Sequence, residues 1–317
     1  MLSVFEKRGA RGEFKETGLG YSTAAGTVWI DAFNPTDDEL EAISKKTHIP
    51  VVELSEYVDP NERPHVRETE LYSRIVFSYP IKEKSIRVAP VFIFLYGRQG
   101  ILTLHKKELP AKEKIISYMH NHPSVMDSSV SFLHYFIDAL ISDFFDFFEH
   151  LEENVDSIER QIIKNEAKTT SFSTQEIFNI KKIFILFHKA LLANRDVVTG
   201  VEKGYLAKMT KNETERFRDI YYDIVQLIDV GDTNREILTG VLETYLTILS
   251  NNMNNIIKRL SGYAALILVP TLISGIYGMN FNYLPETQWR LGYPFALGLM
   301  VLSIILLYIF FKRREWI

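Results

Sequence analysis

The sequence predicts an α/β domain with a mixed sheet and flanking helices, then a helical hairpin, then a very long stalk helix that continues into the first of two transmembrane helices. Three observations predict this fold class. Residues 1–105 alternate strand-like and helix-like patterns, and from Pro110 onward the apolar residues recur at helical spacing. The last sixth of the chain then holds two uncharged stretches, each at least as long as the roughly 20 residues that cross a bilayer.

The first part of the chain contains the strand signals. Thr27–Phe33 reads as a strand, and Thr36 with Glu39 three residues later forms a capping box that opens a short helix. Three further β-branched and aromatic runs are separated by turn residues and predict strands at Ser73–Tyr79, Ile86–Phe94 and Ile101–His105.

The second part predicts an antiparallel helical hairpin. Asp127 can cap a helix that runs to about Glu166, and Ser173 can cap a second helix that runs to about Gly204. The first helix has an aromatic side, formed by Phe132, Phe136, Phe144 and Phe148, and an acidic side, formed by Asp143, Asp146, Glu149, Glu153 and Asp156. The acidic side is either a solvated surface or one that concentrates hydrated cations or pairs with basic groups.

A third helix starts at a capping box of Thr210 and Glu213 and meets no proline before Pro270. About 65 residues of continuous helix would extend roughly 100 Å, so this helix must pack as a stalk against copies of itself or against other helices. Gly231 and Gly240 lie within it. They either permit bending or allow close packing of a neighbouring helix.

Two uncharged runs, Ser261–Pro285 and Leu291–Phe311, predict membrane spans that form an antiparallel pair. The flanks of these runs are basic on one side, with Lys258 and Arg259 before the first span and a basic tail after the second. Because Lys and Arg accumulate on the cytoplasmic side, we expect both termini in the cytoplasm.

Several function classes are disfavoured. The net charge of −4 argues against a nucleic-acid partner, and the absence of cysteine excludes disulfides and thiolate metal sites. The closest pair of histidines, His120 and His122 in a predicted loop, lacks the spacing of a metal site, and no phosphate-binding glycine loop occurs. We therefore expect no enzyme, and a purely structural stalk would not need an uncharged span that ends in asparagine.

The first span is followed at once by Tyr277-Gly278-Met279-Asn280-Phe281. With this Gly-Met-Asn sequence, a proline inside the span, a short loop, a second span and a basic tail, the chain resembles the CorA family of divalent-cation channels. The resemblance is strongest over residues 210–317 and continues more weakly through the N-terminal part, including Arg63-Pro64.

The resemblance implies a funnel-shaped homopentamer in the cell membrane that conducts Mg²⁺, with Co²⁺ and Ni²⁺ as further candidate substrates. Gly278, Met279 and Asn280 would form the selectivity filter, where neutral amide and carbonyl oxygens bind an ion that keeps its water. For Asn280 the alternative is a left-handed helix C-cap. A zinc-transporting branch of the scaffold differs at the position of Met279, so this methionine favours Mg²⁺; zinc or another divalent cation is the alternative substrate.

The resemblance also assigns constrictions of the pore to Asn254, Ile257, Leu260 and Leu268. Their spacing keeps them near one stripe of the helix, where the three aliphatic side chains would block ions by dewetting. The alternative for each of them is contact with lipid or with a packed neighbour.

Regulation in the family involves Mg²⁺ bound between subunits, and the matching carboxylates are Asp219 and Glu56. Bound cations would bridge like-charged subunits and stabilise the closed state. Ordinary solvated carboxylates are the alternative. Lys312, Arg313 and Arg314 would form a basic collar at the inner face of the membrane, or would serve only as topology anchors.

The predicted domains follow from these elements. They are an α/β domain (1–125), a helical hairpin (126–209), a stalk helix (210–260), a first transmembrane helix that lines the pore (261–281), an extracellular loop (282–291), a second transmembrane helix (292–311) and a basic cytoplasmic tail (312–317).

Overall fold

A computed structural model of the chain describes residues 1–8, 13–17, 26–97, 99–164, 174–204, 206, 209, 211–280 and 289–316. The chain divides into two compact units, Met1–Gly240 and Val241–Ile317. The first unit holds the sheet and the helical hairpin, and the second holds the apolar helices.

The first unit is built on a seven-stranded mixed sheet, which confirms the predicted sheet. Its strands are β1 (Leu2–Arg8), β2 (Glu13–Thr17), β3 (Val28–Phe33), β4 (His65–Glu68), β5 (Tyr72–Lys82), β6 (Ile86–Tyr96) and β7 (Gly100–His105), in the spatial order β2-β1-β3-β7-β6-β5-β4. Strands β3 and β7 pair in parallel, and the other neighbours are antiparallel. The sequence analysis did not predict β1, β2 or β4.

The helices are α1 (Asp37–Thr47), α2 (Val51–Ser55), α3 (Lys112–Asn121), α4 (Ser129–Lys164), α5 (Thr174–Glu202), α6 (Lys211–Tyr277) and α7 (Gly292–Arg313), with 3-10 turns at Glu56–Val58 and Pro123–Asp127. The capping box of α1 is confirmed. Glu39 N–H donates to Thr36 Oγ1 at 3.3 Å, and Thr36 N–H donates to the Glu39 carboxylate at 2.9 Å. The caps predicted at Ser173 and Thr210 fall outside the described residues.

The cap predicted for α4 is wrong by one residue. The helix begins at Ser129, and Ser131 N–H donates to the hydroxyl of Ser128 at 3.0 Å. Asp127 instead lies in the preceding 3-10 turn and forms an ion pair with Lys7. Serine and aspartate cap helix N-termini about equally well. The ion pair of Asp127 with the distant Lys7 therefore accounts for Ser128, and not Asp127, being the cap.

The core of the first unit lies between the sheet and the hairpin. Trp29 of β3 stacks on Phe5 with ring centroids 4.9 Å apart, and it contacts Phe132 and Phe136 of α4. The aromatic side predicted for α4 is buried, as expected. Asp143, which the sequence placed on the acidic side, is also buried and pairs with Lys114 Nζ at 3.2 Å, so that part of the face is not solvated.

A buried side chain joins α5 to the sheet. Ser78 N–H donates to Asn194 Oδ1 at 2.9 Å, and Asn194 Nδ2 donates to Ser78 O at 2.8 Å. On one side of β5, strand β4 begins at His65, opposite Val76, so it does not reach Ser78. On the other side, Ser78 lies opposite Pro90, which has no N–H to donate. The Asn194 amide therefore supplies the pairing that a longer neighbouring strand would provide.

Within the first unit, α6 packs closely against the hairpin. A Cβ added to Gly231 would lie 3.2 Å from the ring of Phe148, so this glycine allows close packing. Asn234 Nδ2 donates to Glu152 at 3.0 Å, which ties α6 to α4. Among the described residues of this chain, no atom lies within 4 Å of a Cβ added to Gly240, so close packing within the chain does not explain this glycine.

A buried polar network lies at the end of β3. The carboxylate of Asp31 accepts from Thr103 Oγ1 at 2.7 Å, from His105 Nε2 at 2.9 Å and from Lys112 Nζ at 2.7 Å. Burial alone would raise the pKa of Asp31, but the hydrogen bond and charge of His105, together with Lys112, lower it to about 2. The folded state therefore stabilises the charged carboxylate.

We predict that Asp31→Asn lowers the free energy of unfolding by about 3 kcal/mol at pH 7, because it removes one partner of a buried charge cluster. The folded pKa of Asp31 lies below the ordinary value, so its contribution is complete above about pH 4 and is lost as the pH falls towards 2. Urea unfolding of the full chain in detergent, followed by the fluorescence of the adjacent Trp29, measures the change.

Glu83→Gln is the matched control, because Glu83 forms an ion pair with Lys107 on the surface. Its unfolding midpoint should stay at the value of the unmodified chain. Equal midpoints for Asp31→Asn and the unmodified chain at pH 7 would contradict the stabilising role of the network.

Candidate functional site

The Gly-Met-Asn sequence lies where α6 ends. The helix stops at Tyr277, after which Gly278 N–H donates to Ser274 O at 2.9 Å and Met279 N–H donates to Ile276 O at 3.2 Å. A Cβ at Gly278 would lie 3.3 Å from Ser274 O, which is closer than most side chains tolerate. A glycine at this position therefore lets the chain leave the helix in a tight turn.

Asn280 follows this turn as an exposed residue. Among the described residues, positive φ outside glycine occurs at Asn34, His48 and Glu315, so Asn280 does not form the left-handed cap that was the alternative to a filter role. Its amide stands next to the C-terminal end of α6, which carries a partial negative charge from its last carbonyls. The amide oxygen of Asn280 and the partial negative charge at the end of α6 can both interact favourably with a cation.

The four predicted pore positions lie on α6 within the second unit. Ile257, Leu260 and Leu268 are 53%, 68% and 68% exposed, although all three are apolar, and Asn254 is exposed as well. At 3.6 residues per turn, all four fall within an arc of about 120°. Between Asn254 and Gly275 the same arc contains five further residues, which the three- and four-residue spacing would have found: Ser261, Ala264, Thr271, Leu272 and Gly275.

Both α6 and α7 contain a segment long and apolar enough to cross a membrane. Within the chain, 6% of the apolar segment in α6 and 11% of the apolar segment in α7 is buried. Apolar area of this extent is not stable in water, so lipid or further copies of the chain must cover it.

Asp219 is an exposed residue of α6, and the structure surrounds it with like charges that the sequence analysis missed. Burial raises the pKa of Asp223, and the charge of Asp219 raises it further. Burial likewise raises the pKa of Asp138 on α4; His134 opposes this shift, whereas Asp223 and Asp219 add to it. Asp223 could have been found from its spacing of four residues, but Asp138 is brought close only by the packing of α4 on α6.

Glu56 has a different environment. It lies in the 3-10 turn after α2 and forms an ion pair with Arg74, which is buried and also binds Glu53 at 2.9 Å. Across the part of the chain that the structure describes, no group of three or more His, Asp or Glu residues is arranged to hold a metal ion. A complete metal site that uses Glu56 or Asp219 would therefore need ligands from beyond the described residues of this chain.

The remaining predicted residues are also placed. Lys312 and Arg313 end α7 and Arg314 caps it, where cations interact favourably with the helix dipole. His120 lies within α3, so its predicted position in a loop is wrong, whereas His122 lies between α3 and the following 3-10 turn and stacks on Tyr118. The helical periodicity after Pro110 was the signal that should have placed His120.

Comparisons with known proteins agree with the resemblance read from the sequence. Residues 24–313 match the family described as CorA-like Mg²⁺ transporter protein. The cobalt/magnesium transport protein CorA of Methanocaldococcus jannaschii is 32% identical, over 92% of this chain and 91% of the relative. The protein of the same name from Thermotoga maritima is 27% identical, over 96% of this chain and 89% of the relative.

The fold comparison covers both units. The complete structure of the CorA magnesium transporter from Methanocaldococcus jannaschii superposes with a TM-score of 0.89 at 29% identity, and the match covers 100% of this chain and 99% of the other.

Proposed function

Because the chain belongs to the CorA-like Mg²⁺ transporter family, we propose that it carries Mg²⁺ across a cell membrane through a pore lined by α6, with Co²⁺ as a second substrate. The observation that carries this proposal is the Gly278–Asn280 turn at the end of the exposed apolar part of α6. The names of the two relatives, which specify cobalt and magnesium, support the choice of ions.

The proposed filter acts on the hydrated ion. Mg²⁺ binds its six waters tightly and gives them up reluctantly, so a pore is faster if it binds the water shell instead of replacing it. The Asn280 amide oxygen and the Gly278 carbonyl would accept hydrogen bonds from those waters. A ring of these groups needs several copies of the chain around one axis, and we propose the homopentamer that the resemblance implies.

The proposed gate uses the exposed apolar stripe. Ile257, Leu260 and Leu268 from each copy would face one axis, where a narrow apolar constriction excludes water and therefore ions. Asn254, at the other end of this stripe from Asn280, would provide a polar ring. Polar and apolar rings in succession let the ion remain hydrated except at the closed constriction.

Closure by intracellular Mg²⁺ is proposed at Asp219. The carboxylates of Asp138, Asp219 and Asp223 repel one another, and a divalent cation bound by Asp219 and by carboxylates of a neighbouring copy would relieve that repulsion. Glu56 is the weaker candidate ligand because Arg74 already neutralises it. We also propose that both termini lie in the cytoplasm, because Lys and Arg flank the spans on that side.

Asn280→Ala should reduce Mg²⁺ uptake into proteoliposomes by at least about tenfold. Each hydrogen bond that is lost to the ion's water shell is worth about 1 kcal/mol, and the loss is repeated in every copy. Asn255→Ala is the control, because Asn255 is equally exposed on α6 but lies off the pore stripe. Normal uptake by an assembled Asn280→Ala protein would refute the filter.

Leu260→Gly should increase the leak of Mg²⁺ when internal Mg²⁺ is high, because it opens the apolar constriction. Electrical recording in planar bilayers measures this leak. Leu266→Gly carries the same cost of about 1 kcal/mol for glycine in a helix, but Leu266 lies on the side of α6 opposite the centre of the pore stripe. A leak of equal size in both variants would point to loss of helix stability, not to a gate.

Asp219→Asn should raise the Mg²⁺ concentration that half-protects the first unit from protease by about tenfold, equivalent to about 1.4 kcal/mol of binding. Asp229→Asn, an exposed residue on the same helix, should leave this concentration unchanged. If the two variants have the same midpoint, Asp219 is not a regulatory ligand.

A further inference from the structure

The C-terminal end of α7 closes with a defined turn. Glu315 N–H donates to Lys312 O at 3.2 Å, and Trp316 N–H donates to Phe311 O at 3.0 Å. These two bonds form a Schellman motif, in which the residue after the cap adopts a left-handed conformation. Here that residue is Glu315, with φ of 58°, where glycine is the usual choice. The turn is therefore held against local backbone strain.

Aromatic stacking holds this turn in place. The Trp316 ring stacks on Phe311 with centroids 5.5 Å apart and an interplanar angle of 19°. Phe311 is buried, so the stacked pair forms a small apolar contact at the base of the tail. As a result, the tail folds back onto the last turn of the helix, and Trp316 lies at the same level as the basic residues.

The three cations of this end lie along the apolar helix. Lys312 Nζ is 5.8 Å from the centroid of the Tyr308 ring, and the guanidinium of Arg314 is 5.9 Å from that of Phe310. Lys312, Arg313 and Arg314 are exposed. No ion pair joins them to a carboxylate within residues 289–316 or elsewhere in the described chain.

We propose that this end of α7 binds the phosphate groups of anionic phospholipids in the leaflet that it reaches. Tryptophan and tyrosine prefer the headgroup level of a bilayer, and lysine and arginine beside them reach outward to the lipid phosphates. Charge complementarity favours anionic over zwitterionic lipid. The first span repeats the same order with Lys258, Arg259 and the exposed Tyr263.

The opposite end of the spans differs in charge but not in aromatic content. Trp289 packs against Phe295, and Tyr293 is exposed. The described residues there include Arg290 as a cation, without a basic cluster. Both ends can therefore lie at a headgroup level, but the selectivity for anionic lipid belongs to the end that carries Lys312, Arg313 and Arg314.

This inference rests on the proposed membrane insertion of the two helices, but not on ion conduction. Lipid preference can be measured without transport. Loss of the preference with normal Mg²⁺ uptake would refute only the lipid site, whereas loss of uptake with a normal preference would refute only the proposed transport.

Tryptophan quenching by brominated lipids tests the proposal directly. The chain has three tryptophans, and Trp29 is fully buried in the sheet unit, so Trp289→Phe leaves Trp316 as the reporter at the membrane. The full chain is reconstituted with brominated phosphatidylglycerol in phosphatidylcholine, and then with the label on the other lipid. At equal mole fraction, the relative association of the anionic lipid with Trp316 should be about threefold or more.

Combined replacement Lys312→Gln, Arg313→Gln and Arg314→Gln should lower this ratio to about 1, while quenching by phosphatidylcholine persists. Arg313→Gln alone, which removes a cation without an aromatic contact, should give an intermediate ratio. Arg290→Gln at the other end is the matched control and should keep the full ratio.

Three results would overturn the proposal. A ratio near 1 in the protein with its basic residues intact would mean that the cations do not select lipid, as expected if they pair with acidic side chains of another chain. If the preference for anionic lipid persists after the combined replacement, residues other than Lys312, Arg313 and Arg314 are responsible for it. Loss of the preference when phosphate replaces chloride at equal ionic strength would assign the cluster to soluble anions.

Discussion

The structure depends on one continuous helix, α6, whose first part packs in a water-exposed unit and whose last part needs a cover of lipid or of further copies of the chain. Over its first part, α6 packs against α4, with Gly231 under Phe148 and Asn234 bonded to Glu152. Over its last part, it exposes an apolar surface that water cannot solvate. Only a helix can make this passage unaided, because its backbone hydrogen bonds are satisfied within the segment. Asp219 and Asp223 thus lie on the same 67-residue helix that ends at Tyr277, three residues before Asn280.

The two proposed ion sites differ in the oxygen atoms that would hold the ion. The charge of Asp219 adds to the burial that raises the pKa of Asp223 and of Asp138, and in the proposed regulation a bound divalent cation would offset this repulsion. Asn280 has no charge and stands at the helix C-terminus, where partial charges attract a cation without holding it strongly. A conducting site has to release its ion quickly, so weak dipoles are the better ligands there.

Much of the fold, including the helices that carry the proposed conduction path, could be predicted from the sequence, because it follows from local patterns. The capping box at Thr36, the strands of the sheet centre, the long helix and the uncharged spans are encoded within a few residues of one another. The contacts that sequence missed are long-range. Asp127 pairs with Lys7 instead of capping α4, Asp143 is buried against Lys114, and Asp138 meets Asp219 and Asp223 only because α4 packs on α6.

A high-resolution structure of the assembled protein in a lipid nanodisc with Mg²⁺ tests the central claim most directly. We predict that the Asn280 side chain of every copy faces the axis and that its amide oxygen lies about 4 Å from the metal, with an ordered water between them. Asn280 turned towards lipid, or its oxygen at the roughly 2.1 Å of direct Mg²⁺ coordination, would contradict the proposed filter.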